Sequence, residues 1–81
     1  MKQELFVLYN NLSNRYGDVF SFPTIGFALK RLKTAQIDVS EFELCSIGTM
    51  DIETGAVELH AIKRIPWYED LNIETKINKE E

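Results

Sequence analysis

The segment LCSIGTMDIETGAVELH, residues 44–60, contains a complete hairpin signal. Phe42–Ile47 reads as a strand, with Phe42 and Leu44 toward one side and Cys45 and Ile47 toward the other. In DIETG, the Asp51 carboxylate can accept hydrogen bonds from backbone N–H groups two or three residues on. Gly55 supplies the positive φ that closes a short loop. The return strand, Ala56–Ile62, alternates Val57, Leu59 and Ala61 against Glu58 and His60, which predicts one apolar and one wet side before Pro66 stops it. A hairpin this well specified fixes an antiparallel sheet, and the rest of the chain must add to it.

Upstream, Glu4–Tyr9 (ELFVLY) is a compact strand that is apolar on both sides, so both sides call for a cover. One cover is expected to be a helix and the other a second subunit. Asn10–Gly17 (NNLSNRYG) carries turn chemistry, and Asp18–Phe22 (DVFSF) alternates as a strand folding back on the first. Pro23 then ends the extended segment and Thr24 is a suitable N-cap. Ile25, Ala28, Leu29, Leu32 and Ala35 follow helical spacing, giving one buried stripe on a helix that ends near Gln36. Gly26 sits in its first turn, where the cost against Ala is small. Trp67 and Tyr68 are expected to fold back onto the body. The resulting fold class is α+β: an antiparallel four-stranded sheet in ββαββ order with one helix packed on one face. Residues 1–68 form the single domain and 69–81 an acidic, flexible tail.

Length bounds the energetics. Eighty-one residues hold one core, and a chain of this size buries only about 60% of the surface its unfolded form exposes. Cys45 is the only cysteine, so no internal disulfide assists, and no Cys/His cluster offers a zinc site. Self-association, as a homodimer, is the remaining aid. A lone cysteine without a signal peptide fits a reducing cytoplasm, and the longest apolar run, Leu5–Tyr9, falls far short of the roughly 20 residues a membrane span needs. The net charge of −4 argues mildly against a general nucleic-acid binder. Its distribution softens that: residues 1–64 carry seven Lys/Arg and eight Asp/Glu, a balance of −1, whereas residues 65–81 carry two and five, a balance of −3. No acid occurs from Val19 to Ile37, where Lys30, Arg31 and Lys33 stand.

Catalytic chemistry has little to build on. His60, the only histidine, lies on the polar side of a strand, where solvation or a hydrogen bond accounts for it. Cys45 inside a strand reads as a buried, inert thiol. Ser46 lacks a nucleophile-elbow context, and no Gly-rich loop precedes a helix to cradle phosphate. Asp51 and Glu53 are explained by a capped turn and by solvation. The expectation is a non-enzymatic protein without metal, cofactor or small-molecule substrate. The outer face of the helix is more informative. Phe27, Lys30, Arg31 and Thr34 share the side opposite the apolar stripe. A ring bracketed by cations suits single-stranded nucleic acid, because cations neutralise phosphates and a ring stacks a base for about 1–3 kcal/mol. The competing reading has Phe27 tucked under the Tyr16–Phe22 segment while the cations solvate the helix. A second basic pair, Lys63 and Arg64, ends the last strand beside Trp67 and Tyr68, which is also ordinary for a strand leaving a sheet.

Three motifs occur in a telling order: Leu5, Phe6 and Tyr9 as LFxxY; FPTIGFALKRL at Phe22–Leu32; and LCSIGTMDIETGAVE at Leu44–Glu58. In that order the chain resembles, over Leu5–Arg64, the small nonstructural protein of gokushoviruses, microviruses with circular single-stranded DNA genomes. The IGTMDIETG block is the most specific part. The resemblance implies a regulator that halts duplex replication and commits the genome to single-strand synthesis and packaging in the host cytoplasm. It would work through single-stranded DNA or the viral replication and packaging complex. The resemblance assigns no site residues, and the matching Pro23, Gly26, Thr54 and Gly55 look structural. Where the family carries a longer segment with an HPEDY-like motif, this chain has only IDVSEFE between helix and hairpin. From the residues, the candidate DNA contacts are Phe27, Lys30, Arg31 and Lys33, assisted by Lys63 and Arg64. The alternative is a protein–protein interaction module, binding a host or viral partner through an exposed sheet face or edge, with no direct DNA contact.

Overall fold

A computed structural model describes residues 1–67; Tyr68 and the expected tail at 69–81 lie outside the described residues. The elements run β1 (Lys2–Asn10), β2 (Arg15–Tyr16), β3 (Phe20–Phe22), α1 (Ile25–Thr34), β4 (Phe42–Asp51) and β5 (Val57–Ile65). All strand pairings are antiparallel. β1 and β4 are central, β5 lies outside β4, and both β2 and β3 pair along the other side of β1. The expected α+β class and single helix are present; the expected second strand, Asp18–Phe22, is shortened to Phe20–Phe22, and an additional short strand, Arg15–Tyr16, forms within the segment expected to be a turn. Phe20–Phe22 pairs with Glu4–Phe6 and Arg15–Tyr16 with Tyr9–Asn10; the Gly17 N–H still donates to the Leu8 carbonyl at 2.8 Å, and Asp18 and Val19 lie between the two strands. The sheet therefore has five strands. The turn chemistry of NNLSNRYG explains the early return. Asn10 Oδ1 accepts from the backbone N–H groups of Leu12 and Ser13, and Asn14 adopts a φ of 57°. Asparagine tolerates that left-handed conformation better than most residues.

The long hairpin forms as the sequence requires. Asp51 Oδ1 accepts from the N–H groups of Glu53 and Thr54, and Gly55 has a φ of +79°. Both strands are longer than expected and neither is regular. Leu5 pairs with Gly48 but Phe6 pairs with Ser46, so Ile47 is an extra residue in β4. Across the same place, Ser46 pairs with Lys63 and Gly48 with Leu59, which sets His60, Ala61 and Ile62 of β5 against Ile47. Bulges sharpen the twist of a sheet, and here the β5 backbone comes down over Gly48. A Cβ at Gly48 would overlap the Glu58 carbonyl oxygen and stand 3.0 Å from the Leu59 Cα.

The core lies between the sheet and α1. Phe6, Ala28, Leu29, Leu32, Leu44 and Trp67 are buried together, ringed by Leu8, Phe20, Phe22, Phe42 and Ile65 and by Ile37 and Val39 from the segment after the helix. Burying a side chain such as Leu or Phe contributes about 1.5–3 kcal/mol. The apolar stripe of α1 is narrower than expected: Ile25 and Ala35, at its two ends, are exposed. Trp67 folds back as expected, and its indole N–H donates to the Phe42 carbonyl at 2.9 Å. On the side of the sheet away from α1, Leu5, Val7 and Cys45 are only 7%, 6% and 5% exposed in the single chain. These side chains, for which a partner subunit was expected as cover, are thus already buried within the single chain. The expected one-sided burial of the return strand is corrected in the opposite sense. Both sides of β5 are exposed, with Val57 at 50% and Leu59 at 71%; these two lie on the side away from α1, on the outer strand of the sheet.

Candidate nucleic-acid interface

Helix α1 starts where the sequence places it. Thr24 is extended, and its Oγ1 accepts from the Phe27 N–H at 3.0 Å. That cap fixes the first turn and with it the direction of the Phe27 side chain. The Phe27 ring lies 5.6 Å from that of Phe22. Phe22 in turn touches Phe20 and the fully buried Phe6, at 5.7 and 6.4 Å between ring centroids. A chain of aromatic contacts therefore runs from the core to the surface and ends at Phe27, which remains 46% exposed. One side of the Phe27 ring is supported by the β3 segment, as the competing reading expected, and the rest is open. Such support holds a ring in place, which lowers the ordering cost of stacking a flat ligand on it. The expectation that Phe27 could tuck under the Tyr16–Phe22 segment anticipated this support, although not that part of the ring would stay open.

Lys30 and Arg31 follow Phe27 on the helix and are exposed; neither makes an ion pair among the described residues. The Thr34 hydroxyl donates to the Lys30 carbonyl at 3.1 Å. Arg31 and Lys33 lie in the last turn, where cations also complement the helix dipole, and Lys33 has other interactions. The first turn of α1 holds no acid. The second basic pair is divided by the sheet. Lys63 pairs with Ser46, whose Cα partner on β1 is Phe6, so it belongs to the helix side. Arg64 pairs with Cys45, faces away from α1, and holds Glu43 at 3.2 Å. The structure does not bring Arg64 to the Phe27 surface, because two consecutive strand residues point to opposite faces.

The other reactive side chains are engaged structurally. His60 Nδ1–H donates to the Ala61 carbonyl at 2.7 Å, which leaves Nε2 to accept from the Ser46 hydroxyl at 3.3 Å. Ser46 is 3% exposed inside β4, so the contact satisfies a buried hydroxyl rather than presenting a nucleophile to a substrate. Burial pushes the Cys45 thiol above its ordinary pKa, with the nearby Glu43 charge adding and Arg64 opposing. Among the described residues, no three His, Cys, Asp or Glu side chains gather to hold a metal ion, and no helix is long and apolar enough to cross a membrane. A half-open cleft of about 390 Å³ lies between Leu8, Phe20 and Phe42 and the Arg15–Asp18 segment. Its amide, Asn10, is spent on Glu41 and on the turn N–H groups.

Comparison with known protein families, with curated proteins and with solved structures finds no match to this chain.

Proposed function

We propose that this chain is a non-enzymatic phage protein that regulates viral DNA replication and packaging by contacting single-stranded DNA through the outer face of α1. The observation that carries the reading is the half-exposed Phe27 ring, backed by Phe22 and followed by Lys30 and Arg31 on an acid-free first turn and helix face. In this reading Phe27 stacks a base, Lys30 and Arg31 neutralise phosphates, and Lys33 and Lys63 add to the local positive field. The ordered motifs similar to those of the gokushovirus nonstructural protein supply the biological setting. The test is an anisotropy titration of labelled single-stranded DNA. With two or three phosphates neutralised, the affinity falls about tenfold between 50 and 200 mM salt. Lys30→Glu/Arg31→Glu abolishes binding. Absence of binding at low salt, or a double variant that binds as the parent does, refutes direct contact. A protein-docking module is the second reading, favoured by the apolar side chains that β5 leaves exposed.

A further inference from the structure

Among the described residues, β5 forms the longest unpaired edge of the sheet. It is a nine-residue edge strand, exposed along nearly its whole length. Val57, Leu59 and Ile62 are 50%, 71% and 52% exposed. A long edge strand presents unpaired N–H and C=O groups that template pairing with a further strand, and on β5 apolar side chains are interspersed with charged ones. The opposite side of the sheet is better guarded, since β2 and β3 are two and three residues long with a break between them.

The charge order of β5 selects the partner. VELHAIKRI has an acid near its start and two cations near its end. Parallel pairing of two such strands sets like charges together; antiparallel pairing sets unlike charges together. The bulge then selects a register. Glu58 lies on the helix side, since it pairs with Thr49 and reaches Lys2 at 3.6 Å. Lys63 also lies on the helix side, whereas Val57, Leu59 and Arg64 lie on the other. In a regular strand Glu58 and Lys63, five apart, would face opposite ways. The irregularity at His60–Ile62 removes that mismatch. A two-fold axis between His60 and Ala61 therefore places like-facing residues opposite each other, Glu58 against Lys63 of the second copy and Val57 against Arg64, with Leu59 opposite Ile62.

We propose that the chain forms an antiparallel homodimer through β5, in this register, extending the sheet continuously across two copies. The interface is small and falls at the low end of specific interfaces, so the dimer dissociates at about micromolar concentration. This goes beyond the reading of α1 and does not depend on it.

Sedimentation velocity over a concentration series tests it. The parent chain shifts from monomer to dimer as concentration rises. Glu58→Lys sets lysine against lysine twice, and Lys63→Glu sets glutamate against glutamate twice. Each raises the dissociation constant about tenfold. Mixing the two variants restores a heterodimer in which both contacts are again of opposite sign. Both sites are exposed, and circular dichroism verifies that each variant is folded. A parent chain that stays monomeric into the hundreds of micromolar, single variants that dimerise as the parent does, or a mixture that fails to recover would each overturn the proposal.

Discussion

Replacing Gly48 by alanine tests how the sheet is built. The added methyl would overlap the Glu58 carbonyl oxygen and come within 3.0 Å of the Leu59 Cα and 3.1 Å of the Glu58 carbonyl carbon. All three are backbone atoms, so no side chain can swing aside, and β5 itself must move. Inserting a methyl into a filled site costs typically about 1–3 kcal/mol. Losing one ladder hydrogen bond beside the Gly48–Leu59 and Thr49–Glu58 pairs adds about 1 kcal/mol. The sum is about 2–4 kcal/mol, a large fraction of the roughly 4–12 kcal/mol expected of a domain this size. Urea unfolding followed by the fluorescence of Trp67, the sole tryptophan, reads the loss. With a slope near 1 kcal/mol per molar, the midpoint falls by about 2–4 M. Two other glycines calibrate the result. Gly55→Ala carries only the strain of a φ of +79° with open space around it, about 1–2 kcal/mol. Gly26→Ala, with nothing nearer than the Thr24 Oγ1 at 4.0 Å, gains about 0.5 kcal/mol. A Gly48→Ala midpoint within about 0.5 M of the parent would refute the claim that β5 crosses directly over this residue.

Two further effects follow from the described contacts. Thr24→Ala removes the acceptor of the Phe27 N–H and lowers the urea midpoint by the equivalent of about 1 kcal/mol, without changing the sedimentation of the chain. The Cys45 thiol has its pKa raised in the folded state, so folding keeps it protonated at a pH where the unfolded chain has begun to lose the proton. Its contribution to stability is complete below the unfolded thiol's pKa and is lost as pH rises through the folded value. Urea midpoints measured from pH 8 to 10 therefore fall more steeply for the parent than for Cys45→Ala; parallel curves would contradict the assignment.

The hairpin, the N-cap and the helix were legible because each rests on short-range chemistry. Asp51, Gly55, Thr24 and the Ala28–Leu29–Leu32 spacing act within a few residues of themselves. What escaped the sequence depends on residues far apart in the chain. The bulge at Ile47 answers both β1 and β5 at once, so no local pattern announces it. The extra strand at Arg15–Tyr16 follows from Asn10 and Asn14 turning the chain early, within a segment whose composition suggested only a turn. The same bulge decides which way Lys63 and Arg64 face, and so which can join the α1 surface. The exposure of Phe27 and its support by Phe22 needed the placement of β3 against β1. Spacing alone could put Phe27, Lys30 and Arg31 on one side of a helix, but not say what lay beneath.

Amide shifts of a nitrogen-15-labelled chain titrated with an unlabelled oligothymidine at low salt test the functional reading most directly. The account predicts the largest, salt-sensitive shifts at Phe27, Lys30 and Arg31 and in the adjoining β3 segment around Phe22. A spectrum that does not move, or shifts confined to β5 while α1 stays still, would contradict it.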